Sequence, residues 1–324
     1  MTPVELSRTV LRAVRRAVDE GELTVAVPER AVVTVPGPGG CGDYATNIAL
    51  KLARPAGQSP QYVAEVLQRH LTRAAGVRGV EITGPGFLNF RLERAETEDL
   101  VRRILREGRA YGHHHALAGQ VITLRVPYEI RAEVVADVLA RIAGTQGARV
   151  EIEHAHGPRA DLRPVPAPED PTPLGADAAR WALLYPAPHD RPRITADHLV
   201  QRETNPLFRV RYAHARTRAL HRNAADLGFA PEPGAVEQQN QLVAALADHP
   251  RILRAAVTQR RPDRLARHLV TVADATLASL PGVLPRGEEK PSAAHRARLA
   301  LAEAAGTVLA GGLSLLGIDA PDHL

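Results

Sequence analysis

The chain has 324 residues, enough for two or three domains with apolar cores of their own. Its one cysteine, Cys41, excludes an internal disulfide framework and a cysteine-based zinc site. Basic residues number 41 against 36 acidic ones, and no long apolar run or cleavable leader stands out, so a soluble cytoplasmic protein without a membrane partner is expected. The charge is uneven. Residues 1–111 carry a net +3, residues 112–199 a net −2 and residues 200–324 a net +4. Two basic ends around an acidic middle favour a nucleic-acid partner held at the ends.

In chain order, residues 2–20 read as a helix with Val4, Leu6, Val10, Leu11, Val14 and Val18 near the helical period, closed by Gly21. A strand-like run at 31–35 precedes the Pro-Gly breaker at 36–40. No Gly-Lys-Ser/Thr follows Gly42, so this is a turn before a helix and not a phosphate loop. Ser59-Pro60 starts a helix expected to reach residue 75, and strands follow at 80–82 and 87–90. In the second of these, Phe87 and Asn89 should share one face and Leu88 and Phe90 the other. A helix over 94–110 completes the region. His113, His114 and His115 have no acid or cysteine at ligand spacing and read as a solvated loop, with no metal.

Residues 120–126, 130–143 and 149–154 spell strand, helix and strand, one βαβ crossover. Residues 161–173 are proline-rich, an extended linker, and residues 175–184 start a helix whose Trp181 should anchor it in a core. Asn205 is a good helix cap and Pro206 a good first residue. Beyond them Leu207, Val210, Ala213, Thr217 and Leu220 form a core-facing stripe. Arg209 and Arg216 border that stripe on one side, Arg211, Arg218 and Arg222 on the other, which suits a packed helix presenting charge to a polyanion. Four further helices are expected over 236–248, 251–260, 263–280 and 293–316, making a bundle. His214 reads as a polar core residue.

Ordered motifs along the chain carry a family resemblance. Asn205-Pro206 followed by Tyr212-Ala213-His214-Ala215-Arg216 resembles the first helix of the anticodon-binding domain of arginyl-tRNA synthetases. Gly42-Asp43-Tyr44-Ala45-Thr46-Asn47 and Gly84-Pro85-Gly86-Phe87-Leu88-Asn89-Phe90 are similar to two signatures of that family's N-terminal additional domain, with Cys41 where the family usually has histidine. Arg264-Leu265-Ala266-Arg267-His268-Leu269 and the close at 315–321 look like the family's C-terminal helices, with Leu324 in place of a terminal methionine. Asp137-Val138-Leu139-Ala140-Arg141 resembles the helix after the ATP-binding histidine motif of class I synthetases. Where that motif should stand, the chain reads Val126-Pro127-Tyr128-Glu129-Ile130-Arg131, and residues 112–199 contain no lysine for the second nucleotide loop.

The resemblance implies three parts: an α+β N-terminal domain (1–111), a vestigial α/β Rossmann-like remnant with a proline-rich linker (112–174) and an all-α, DALR-type anticodon-binding bundle (175–324). It implies tRNA, an arginine acceptor above all, as partner, while the missing nucleotide motifs point to a non-catalytic relative with no catalytic residues, cofactor or metal. The alternatives are a module docking on a catalytic aminoacyl-tRNA synthetase or another protein, and residual arginine–tRNA ligase activity. Arg209, Tyr212, Arg216, Arg260, Arg261 and Arg267 are the expected RNA contacts in the bundle. Exposed Tyr44, Asn47, Phe87 and Asn89 are the expected contacts in the N-terminal domain.

Overall fold

A computed structural model describes residues 3–37, 39–92, 94–155, 159–236 and 240–324. Pro38 of the expected breaker and residues 237–239 of the expected 236–248 helix lie outside the described residues. The chain divides into two compact units, Met1–Leu100 with Gly234–Asp248, and Val101–Pro233 with His249–Leu324.

The first unit sets three helices, α1 (Pro3–Asp19), α2 (Ile48–Ala56) and α3 (Pro60–Leu71), on a four-stranded antiparallel sheet. Its strands are β1 (Val33–Thr34), β2 (Tyr44–Thr46), β3 (Val77–Thr83) and β4 (Phe87–Leu92), in the order β1-β2-β4-β3. The Ser59 side chain accepts a hydrogen bond from the Tyr62 N–H at the start of α3, and Pro60 needs no donor there. The helix ends at Leu71, short of the expected residue 75. Leu6, Val10, Val14, Ile48, Val63, Leu67, Leu88 and Phe90 form the core. α4 (Arg94–Glu107) and a 3₁₀ turn, Gly108–Ala110, follow the sheet.

The second unit holds one parallel pair, β5 (Val121–Val126) and β6 (Arg149–His154), joined by α5 (Ile130–Thr145). Around it stand α6 (Gly175–Leu184), α7 (Pro206–Asp226), the second part of α8 (Asn240–Thr258), α9 (Asp263–Ser279) and α10 (Ala293–Leu316). Trp181 is fully buried and stacks on Tyr185 with ring centroids 5.3 Å apart. α10 comes so close to its neighbours that a Cβ at Gly306 would collide with Thr217 of α7, and one at Gly312 with Leu269 of α9. Two small residues thus set the interhelical distance.

Two expectations are corrected here. The helices expected at 236–248 and 251–260 are one helix, α8, with Pro250 inside it. Proline in a helix interior costs about 3 kcal/mol, and Leu246 and Leu253, both fully buried on either side of it, outweigh that cost. α10 is long and apolar enough by length and composition to cross a membrane, which the sequence reading missed. In the structure 72% of that window is buried in the protein, as suits the central helix of a bundle.

Candidate nucleic-acid interface

α7 organises the interface. Asn205 Oδ1 accepts from the N–H groups of Leu207 (3.1 Å) and Phe208 (3.4 Å), while its amide donates to His198 O and Val200 O, both at 2.9 Å. The cap therefore fixes both the helix start and the chain entering it. Leu207, Val210, Ala213, Thr217 and Leu220 are all buried, as their spacing requires. His214 is buried too, and its Nδ1–H donates to Pro321 O at 3.0 Å. Burial holds its pKa below the ordinary imidazole value, against the pull of that hydrogen bond.

On the outer surface Tyr212 is exposed and stacked on Phe208, with ring centroids 5.5 Å apart. Arg216 is exposed beside it. Arg209 reaches Asp274 of α9 at 3.0 Å. At 100° per residue Arg267, Thr271 and Asp274 lie on one stripe of α9, and all three are exposed. The Arg209–Asp274 pair thus joins the α7 candidates to Arg267. Asp263, only 2% exposed, takes both Arg261 (2.8 Å) and Arg267 (3.5 Å). That carboxylate also raises the Arg261 pKa, through its hydrogen bonds first and then its charge, against the lowering by burial. Arg260 lies 3.9 Å from Asp161. Each of these four arginines therefore has an acid within reach while remaining about a third to a half exposed; the Arg209–Asp274 and Arg260–Asp161 pairs are of the exposed kind worth about 0–1 kcal/mol, whereas the buried Asp263 holds Arg261 and Arg267 more firmly.

Arg260 is the only non-glycine residue with positive φ (+53°) among the described residues. It closes α8, with its N–H on Val257 O and the Arg261 N–H on Ala256 O, in a position that favours glycine. An arginine there sits at a conformational cost. Arg260→Gly should raise stability by about 0.5–1 kcal/mol, read as a higher urea midpoint.

The N-terminal candidates divide. Phe87 is 40% exposed and Asn47, just before α2, is half-buried. Tyr44 and Asn89 are not the exposed contacts expected of them. Tyr44 pairs with Phe90 across β2 and β4, and opposed residues in an antiparallel pair share a face, so Tyr44 enters the core at 3% exposure. Asn89 does share the face of Phe87, yet the 40–41 turn covers it. It donates to Thr83 Oγ1 (2.8 Å) and accepts from the Cys41 N–H (3.4 Å). The Gly42-to-Asn47 signature is largely architectural. Gly42 has φ +82°, and a Cβ there would lie 2.5 Å from Phe90 O. The Asp43 carboxylate accepts from the Leu92 N–H at 2.8 Å, and the Thr46 hydroxyl donates to Val32 O at 2.6 Å.

The βαβ segment has a different chemistry. In an open α/β sheet the first helix after a strand offers its N-terminus to a phosphate. At α5 that place is taken by Glu129, whose carboxylate accepts from the N–H groups of Arg131 (3.0 Å), Ala132 (2.8 Å) and Ala167 (3.2 Å). One face of the sheet carries Arg125, Arg149, Glu151 and Glu153, all exposed, with Arg125–Glu153 and Arg149–Glu151 paired. A layer of helix could not cover that face without burying those charges. The outer edge of β5 is already bonded by the Asp161 and Leu162 N–H groups to Arg125 O.

Sequence reasoning missed Arg131. It is 1% exposed, and each of its five N–H donors meets a backbone carbonyl: Leu183 (2.9 Å), Val165 (2.7 Å), Asp190 (2.8 Å), Pro186 (3.0 Å) and Ala187 (2.9 Å). Burial lowers its pKa, and Glu129, Asp190 and Asp263 oppose the shift. Glu20, Glu22 and His70 are near enough to hold a metal ion. Glu22 already pairs with Arg69 at 3.0 Å and with His70 at 2.6 Å, so the cluster reads as an ion-pair network.

Comparison with known proteins fits this geometry. Residues 5–92 match the arginyl tRNA synthetase N terminal domain, and residues 210–324 match the DALR anticodon binding domain. The chain thus carries the N-terminal and the anticodon-binding domains found in arginyl-tRNA synthetases. It is 41% identical over 167 residues to the arginine–tRNA ligase of Renibacterium salmoninarum, a match covering 48% of this chain and 30% of that one. With the arginine–tRNA ligase of Kineococcus radiotolerans the identity is 37% over 195 residues, covering 52% and 35%. The chain thus spans about a third of the length of these curated relatives. The fold is shared with the Thermus thermophilus arginyl-tRNA synthetase (TM-score 0.72, 15% identity, 100% of both chains) and with that of Plasmodium falciparum (TM-score 0.70, 8% identity, 99% of both).

Proposed function

We propose that this arginyl-tRNA synthetase relative binds tRNA, an arginine acceptor above all, without charging it. The observation that carries the reading is the anticodon-binding domain, whose helix α7 turns Tyr212 and Arg216 outward beside Arg209 and Arg267. An exposed aromatic can stack on an unpaired base while flanking guanidiniums take phosphates. In the N-terminal domain Phe87 offers a second stacking surface. Absence of amino-acid activation is supported by Glu129 in the phosphate position of α5 and by the charged face of β5–β6. Adenylate formation needs donors held on a triphosphate as charge builds, and here the donors of that turn already serve a carboxylate.

Filter binding of purified arginine tRNA against an unrelated RNA duplex, at two salt concentrations, tests binding. Preference for the tRNA with a steep loss of affinity on adding salt is expected. Equal affinity for both would defeat the specificity, and binding to neither would defeat the reading. Arginine-dependent pyrophosphate exchange should stay at background, and a clear signal would overturn the absence of catalysis.

A further inference from the structure

The second arginine row of α7 is occupied, and its occupant is the chain's own 318–323 segment. Arg211 Nε donates to Asp319 O at 3.1 Å and also pairs with Asp177 of α6. Arg218 pairs with Asp322 at 3.1 Å, and Arg222 donates to His323 Nδ1 at 3.3 Å. The segment is fastened at its start, where Ile318 is 3% exposed and Pro321 O is held by His214. Beyond Pro321 the fastening ends. Asp322, His323 and Leu324 are exposed, and among the described residues the hydrogen bonds of 322 and 323 run only to Arg218 and Arg222, themselves exposed or nearly so.

On a helical projection Arg218 and Arg222 lie about a third of a turn from Tyr212 and Arg216, with the buried stripe at the remaining third. The helix therefore has two outward flanks. One is open, and the other is covered by a carboxylate and an imidazole acceptor seated where phosphate oxygens would sit. Arg218 and Arg222 are one turn apart, about 6 Å along the axis, so one extended polyanion could meet both.

We infer that Arg218 and Arg222 form a second phosphate track for bound RNA, and that Asp322–His323 is a displaceable strap which occupies it in the free protein. This rests on the RNA-binding reading above. Arg211, held by Asp177 and the fastened part of the segment, stays structural. RNA binding then exchanges one carboxylate pair for phosphate contacts, and the strap weakens affinity by the cost of that exchange.

The test titrates arginine tRNA into the full chain as wild type, Asp322→Asn, Arg218→Gln and Arg222→Gln, over a series of salt concentrations. Asp322→Asn should bind about two- to five-fold more tightly, since a half-exposed pair is all that is removed. Arg218→Gln and Arg222→Gln should each lower the slope of log affinity against log salt by about 0.7–0.9. Urea midpoints should stay within experimental scatter for all three variants, which separates binding from folding. Wild-type binding with Asp322→Asn unchanged or weaker, or with both glutamine slopes unchanged, overturns the strap and leaves the RNA reading intact. Absence of wild-type binding overturns the RNA reading itself.

Discussion

Arg131→Met should cost about 3–5 kcal/mol of folding stability, a large part of the roughly 5–15 kcal/mol a domain has. The side chain lies across 165–190, donating all five of its N–H groups to carbonyls of that proline-rich stretch. Methionine fills a similar volume but turns an apolar group to five acceptors, of which Ala187 O keeps the Asp190 N–H, and each buried polar group left unpaired costs about 1–3 kcal/mol. Water entry and relaxation would recover part of that sum. Arg131→Lys is the discriminating control. It keeps the charge but has three donors and no planar fork, so at least two carbonyls lose their partner. The urea midpoint should fall in the order wild type, lysine, methionine. A lysine variant as stable as wild type would show that charge alone matters, and that the five-carbonyl geometry does not.

The second large effect is acid destabilisation centred on His268. This imidazole is buried, its Nε2 has no hydrogen-bond partner among the described residues, and its ring stacks on His249 at 5.4 Å. Burial, with a smaller contribution from the Arg251 charge, pushes its pKa down to about 3. In the unfolded chain it returns to about 6.5. Between those values the unfolded state holds a proton that the folded state lacks, so stability falls as pH falls through that window, at up to about 1.4 kcal/mol per unit. Above about pH 6.5 both states are neutral and the effect vanishes. His214, also lowered mainly by burial, adds in the same direction. His268→Leu removes the titrating group without orphaning a partner of Nε2. Its stability should therefore be less pH-dependent than that of wild type between pH 6.5 and 4, by close to one proton. A variant with the wild-type slope would assign the acid sensitivity elsewhere.

The α7 stripe was legible in the sequence because a helix repeats its environment every three to four residues, and Leu207, Val210, Ala213, Thr217 and Leu220 obey that repeat. The β6 strand was legible to the residue, bounded by Gly147 and the break after His154. Family motifs located two domains and the first helix of the anticodon-binding one. Exposure at Tyr44 and Asn89 was not legible. Tyr44 depends on its pairing with Phe90, 46 positions away, and Asn89 on a turn 48 positions away that folds over it. Pro250 looked like a helix start because its missing N–H suits one, and only burial on both sides of it shows a continuous helix.

By itself the sequence determined most of the elements, the resemblance of its two ends and the absence of the nucleotide motifs from the stretch that would carry them, since each is written in neighbouring residues and their spacing. The tertiary structure decided how each charge is used. Arg216 stands open, Arg218 is taken by Asp322, and Arg131 serves carbonyls 34 to 59 positions further on. A guanidinium has the same intrinsic charge at all three sites. What it does depends on which oxygens the folded chain brings within about 3 Å, and that distance is set by the packing of segments far apart in sequence.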